Sequence, residues 1–198
     1  MRREALMAAM LVTLAACRGP AGEVVPPDAS ESNASTNAAA PGPTSAPGPA
    51  TARDGPQFVE LAAGADMFGI ESARLAIEKA RNAEVRALAE AMLDDHRRSA
   101  GALQRAAGAA DPAIPYAPTL SPHQLEALEV LRAAPPAAFD RAFLGQQLDA
   151  QQRLLTLLTD YAITGDVNPL RRHASEAADP VRRNLSRARD LIVEIPFE

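Results

Sequence analysis

The sequence predicts an all-α protein, a four-helix bundle with a short crossover helix, preceded by a disordered tether. Three observations predict it. Beyond residue 55, apolar side chains recur at three- and four-residue steps, the period of a helix with one buried face. No alternating strand pattern appears anywhere in the 198 residues. Proline-bearing breaks divide the helical part into two pairs of long segments joined by a longer connection, which is bundle topology with one crossover.

The first 16 residues read as a signal. Arg2 and Arg3 form a cationic start, and Ala5 to Ala16 is an apolar run. At 1.5 Å per residue that run spans roughly 18 Å, short of a ~30 Å hydrocarbon core, so it is a signal core and not a spanning helix. The tetrad Leu14-Ala15-Ala16-Cys17 closely resembles a bacterial lipobox. The resemblance implies cleavage before Cys17 and acylation of that cysteine, which is the single cysteine of the chain. An ordinary secretory signal with an incidental cysteine is the alternative. Arg18 is not the aspartate that resembles an inner-membrane retention signal. The expected place is therefore the periplasmic side of the cell envelope, on the outer membrane where the host has two membranes.

Residues 17–55 read as the lipidated cysteine and a linker. From Arg18 to Gly55 the only large aliphatic residues are Val24 and Val25, and seven prolines fall among Ala, Ser, Thr, Asn and Gly. Such a segment cannot bury enough apolar surface to offset its conformational entropy. A flexible coil of 38 residues has an end-to-end distance of roughly 35 Å.

The bundle is expected over residues 56–195. A first helix runs from about Pro56 to Arg81, with Phe58, Leu61, Ala65, Phe68, Ser72 and Leu75 on its stripe. Asn82 turns the chain. A second helix follows to about Ala110, carrying Val85, Leu88, Met92, His96, Ser99 and Leu103. Pro112, Pro115 and Pro118 make 111–120 a loop. Ser121-Pro122-His123-Gln124 supplies a cap, a first-turn proline and a capping-box glutamine for a short helix to about Ala134. A long helix from Ala137 to Thr164 ends at Gly165, a C-cap residue type. Asn168-Pro169 opens the last helix, reaching about Glu194, with a kink or restart expected at Asp179-Pro180. Two hairpins joined this way give the ferritin-like arrangement.

Each long helix carries one polar residue within its apolar stripe: Glu71, His96, Gln151 and Asn184. Their distances from the turns put all four near mid-height, where they are expected to meet as a central polar layer. Two readings of that layer stay open. One is a hydrogen-bond cluster that satisfies buried polar groups. The other is a metal site using Glu71, His96 and Asp95, taking an Fe, Zn or Mn ion. No nucleophile or oxyanion donor converges with Glu71 and His96, so catalysis is not expected. His123 is expected on the surface, His173 on the surface or half-buried, and Asp179 paired with Arg183.

The runs Glu71-Ser-Ala-Arg-Leu-Ala, Ala-Glu-Ala-Met92-Leu-Asp94-Asp95-His96 and Phe139-Asp140-Arg141-Ala142-Phe143 resemble the domain of unknown function 4142 family, bacterial ferritin-like proteins often described as outer-membrane proteins. The resemblance covers about residues 56–192. It implies the bundle fold and no established activity. Histidines commonly stand in that family where this chain has Gln151 and Asn184. Neutral amides are weak ligands for transition metals, and the residue three before His96 is Leu93, so the paired Glu-x-x-His of di-iron bundles is absent.

Composition narrows the remainder. One cysteine excludes an internal disulfide framework and a multi-thiolate zinc site. A net charge of −5 argues against nucleic acid as a partner. The expected function is that of a lipid-anchored envelope protein with a non-catalytic structural or binding role, its partners the membrane through the lipid and an envelope protein or small ligand. The alternative is a ferritin-like metal-binding protein with a degraded mid-bundle site.

Overall fold

The computed structural model describes residues 51–195, so the signal, Cys17 and most of the linker lie outside the described residues. Five helices follow in order: α1 (Gly55–Lys79), α2 (Ala83–Gly108), α3 (Pro122–Ala133), α4 (Pro136–Thr164) and α5 (Asn168–Glu194). No strand occurs among the described residues.

Local chemistry sets the helix starts. Asp54 caps α1, its carboxylate accepting the Gln57 amide at 2.9 Å. Asn82 caps α2 through the amides of Glu84 and Val85. Ser121 and Gln124 close a reciprocal capping box on α3. α4 and α5 start instead on first-turn prolines, whose missing N–H would be unpaired there in any case. The residue preceding α5 is Val167, and no side-chain cap forms, so Asn168 belongs to the helix rather than capping it. Gly165 ends α4 with φ of −59°, not in the left-handed region. What its position requires is room, since a Cβ there would lie 2.5 Å from the Tyr161 ring. α5 runs through Pro180 as one helix, without a restart. The proline removes a single hydrogen bond, and buried Ala178, Val181 and Leu185 hold the helix to its neighbours on both sides.

The packed pairs are α1 with α2, α2 with α5, α5 with α4, and α4 with α1, so the long helices close a ring. Asp140, near the start of α4, accepts the backbone amides of Arg81 and Asn82 at 3.1 and 2.8 Å. α4 therefore begins beside the α1–α2 turn, and each helix runs antiparallel to both neighbours. The connection from α2 to α4 must cross the diagonal and travel the length of the bundle. α3 forms its second half and rests on α1 and α4.

Two apolar clusters fill the ring. One gathers Phe58, Leu103, Leu154, Tyr161, Leu170 and Val181, with Phe58 stacked on Tyr161 at 4.0 Å. The other gathers Val85, Leu88, Met92, Phe139, Phe143 and Leu144. Phe-Asp-Arg explains itself here: Phe139 packs in the core, Asp140 fastens the α1–α2 turn, and Arg141 donates to the carbonyls of Ile192 and Ile195 at the end of α5.

Candidate functional site

Between the two clusters lies a layer of buried polar side chains. Asp66, Ser72, His96, Gln147, Gln151 and Asn184 are all less than 5% exposed. Buried polar groups need partners, and most of these find them in one another.

His96 is the hub. Its Nδ1 lies 2.9 Å from Asp66 Oδ1, and its Nε2 lies 3.0 Å from Gln151 Nε2. A carboxylate only accepts, so the ring proton on Nδ1 is donated to Asp66. The Nε2 lone pair then accepts from the Gln151 amide. Gly69 makes the space, because a Cβ there would come within 2.4 Å of the imidazole. A parallel chain runs beside it. Gln147 donates to Ser72 Oγ at 3.0 Å, and Ser72 donates to the Gly69 carbonyl at 3.2 Å. Asn184 donates to Asp95 Oδ2 at 3.0 Å, and Arg98 pairs with the other oxygen of that carboxylate.

The structure thus brings His96 and Gln151 into contact and ties Asn184 to Asp95. It does not bring Glu71 to them. Glu71 is 32% exposed and pairs with Arg74 at 2.6 Å, on the outer side of α1. The inward carboxylate is Asp66, five positions earlier and about 140° around the helix. Of the predicted stripe Phe58, Leu61, Ala65, Phe68, Ser72 and Leu75, the structure buries Phe58, Phe68 and Ser72, and beside them lie small residues the stripe left out, Ala62, Ala63, Gly69, Ala73 and Ala76. Small residues let helices approach closely, and the large ones flank the contact. The spacing Ala62, Asp66, Gly69, Ala73, Ala76 carries that signal at four- and three-residue steps.

His173 also departs from its expected place. It is 5% exposed, packs edge-on against Phe58, and its Nε2 has no hydrogen-bond partner. Burial pushes its pKa down, against the opposing pull of the Asp66 and Glu176 carboxylates. With Asp66, Asp95, His96, Glu176 and Asn184 it lines a cavity of about 150 Å³ between α2 and α5. His123 is exposed, and Asp179 pairs with Arg182 rather than Arg183.

The three residues expected at a metal do not converge on one point. Glu71 pairs with Arg74, Asp95 with Asn184 and Arg98, and both nitrogens of His96 are engaged, by Asp66 and Gln151; among the described residues no group of three or more His, Cys, Asp or Glu suited to an ion occurs. Beside the layer, on the α1–α4 side and beneath the crossover, lies a larger cavity of about 540 Å³.

An antiparallel four-helix ring, crossed by one strapped helix and divided by a hydrogen-bonded polar layer, is a crossover bundle in class. Residues 40–191 match the family described as a domain of unknown function (DUF4142), and the chain belongs to that family. A crystal structure of a DUF305 fragment from Deinococcus radiodurans is similar in fold, with a TM-score of 0.62 and 17% identity, covering 74% of this chain and 99% of that chain. No curated protein matches the sequence. No described helix is long and apolar enough to cross a membrane.

Proposed function

We propose that the protein is a lipid-anchored envelope protein whose helical bundle is a non-catalytic binding module. The observation that carries the non-catalytic part is the engagement of His96 on both ring nitrogens, by Asp66 and Gln151. A general acid or base needs one nitrogen free to meet a substrate proton, and a metal ligand needs a free lone pair. In this layer both positions are spent on holding α1, α2 and α4 together, while the larger cavity beside it offers space for a ligand. The anchoring part rests on Leu14-Ala15-Ala16-Cys17 and on the proline-rich stretch that follows. One acyl chain gives marginal membrane binding and two or more give stable anchoring.

The test is fractionation of expressing cells together with intact-mass analysis of the mature protein. The expected species begins at an acylated Cys17 and sediments with membranes, and Cys17→Ser moves it to the soluble fraction. An unacylated, soluble wild-type protein would end the anchoring proposal.

A further inference from the structure

The larger cavity has a chemical polarity that specifies its occupant. Its wall is apolar, formed by Leu61 and Phe68 of α1, Leu120 of the crossover, and Leu154 and Leu157 of α4. Ligand pockets commonly enclose about 300–1,000 Å³, and this one encloses about 540 Å³. Glu60, His123, Asp149 and Arg153 stand on its lining as well, with Asp149 and Arg153 paired to each other. Three glutamines of α4, Gln146, Gln147 and Gln151, also line it, and the side-chain oxygen of each is buried without a donor.

Their orientation follows from their partners. Gln146 places its amide nitrogen 3.0 Å from the Ala127 carbonyl, which can only accept. Gln147 directs its nitrogen to Ser72 Oγ, whose own hydrogen is given to Gly69 O. Gln151 gives its nitrogen to His96 Nε2. One N–H of each amide is thus directed into the fold, and the three side-chain oxygens, all acceptors, stay buried and unpaired on residues that line the cavity. Gln147 and Gln151 are 0% and 1% exposed, so they belong to a built interior.

Acceptors without donors are costly to bury, and a ligand that brings N–H or O–H groups supplies what is missing. To these three oxygens a carboxylate or phosphate would bring only further acceptors. α3 covers this space and is fastened by side chains, through Gln124 Nε2 to the Gly64 carbonyl at 3.2 Å, the Gln146 bond, and Lys79 at its C-terminal carbonyls. It buries only Leu128 and Leu131, which makes it the element most easily lifted to admit a molecule.

We propose that the cavity between α1 and α4 binds a small apolar molecule headed by an amine or hydroxyl donor, with the side-chain oxygens of Gln146, Gln147 and Gln151 as its acceptors. This deepens the binding-module reading and rests on it.

Calorimetric titration of the full chain carrying Cys17→Ser, with octylamine, octan-1-ol and octanoate, tests the proposal. Octylamine or octanol should bind at one molecule per chain, and octanoate at least about tenfold more weakly. Gln147→Leu and Gln151→Leu should each weaken the favoured probe by about tenfold. Leu61→Trp, which fills the cavity from α1, should abolish binding while the helical circular dichroism is kept. Octanoate binding as tightly as octylamine, no binding by any probe, or undiminished binding to a folded Leu61→Trp protein would overturn it. A protein acylated at Cys17 that binds none of these probes would sink this inference and leave the anchor intact.

Discussion

Gly69 faces the imidazole of His96, and there the absence of a side chain decides the packing. A methyl at that point would lie 2.4 Å from ring atoms that are bonded on both sides and have nowhere to retreat. Gly69→Ala should therefore destabilise the protein by ~1–3 kcal/mol despite the better helix propensity of alanine. Gly145 supplies the control: it is exposed on α4 and a Cβ there meets nothing within 4 Å. Gly145→Ala should raise stability by ~0.5–1 kcal/mol. Urea unfolding of the two variants checks both signs at once. His173 makes a second prediction at this scale. Its folded-state pKa is pushed below the ordinary 6.5 by burial, so the unfolded chain takes up the proton first as pH falls. Stability is then full above about pH 6.5, falls below it, and stops falling from this group once the folded-state pKa is passed. His173→Gln should lose less stability than wild type between about pH 8 and about pH 5 when unfolding midpoints are compared.

At the scale of the element, α3 depends on its polar fastenings. Lys79, at the end of α1, donates to the carbonyls of Leu131, Arg132 and Ala134 at 3.0, 2.6 and 3.3 Å, and its ammonium lies 5.2 Å from the centre of the Phe139 ring. A cation at a helix C-terminus satisfies orphan carbonyls and complements the helix dipole. Lys79→Met keeps the aliphatic stem and removes the donor. It should cost ~1–2 kcal/mol and speed amide exchange in α3 well beyond that in α1 or α2, as hydrogen-exchange mass spectrometry would detect. The helices themselves were readable from sequence, because Asn82, Ser121 and the prolines at 56, 122 and 169 punctuate the chain, while the Asp54 cap and the start of α4 at Pro136 came from the structure. Their inner faces were less so. On α2, Val85, Leu88, Met92, His96 and Leu103 are both large and buried, so periodicity found the face. On α1 alanine and glycine share the buried face with Phe58 and Phe68, and a stripe drawn through Leu61 and Leu75, which are only partly buried, brought Glu71 inward in place of Asp66. Asp140 and Lys79 were invisible for a different reason: their partners lie more than 50 positions away, and only the crossover brings them near.

For the whole molecule, two hairpins joined across a diagonal were legible from break spacing, and the ring of antiparallel neighbours agrees with it. The polar layer was legible at His96 and Gln151, since each interrupts an otherwise apolar stripe. Ser72 stood on the predicted stripe without being read as part of the layer, while Gln147 sits one turn before Gln151 and Asp66 five positions before Glu71, so neither was singled out.

The diagonal crossover has a further consequence. Both apolar clusters draw side chains from each hairpin, so neither hairpin owns a core, whereas the covalent link between them passes through an exposed stretch at 111–113. A chain severed there would keep nearly every contact that defines the fold. The molecule is in effect a complementing pair of fragments written as one polypeptide, and two separately made halves should find each other as subunits do.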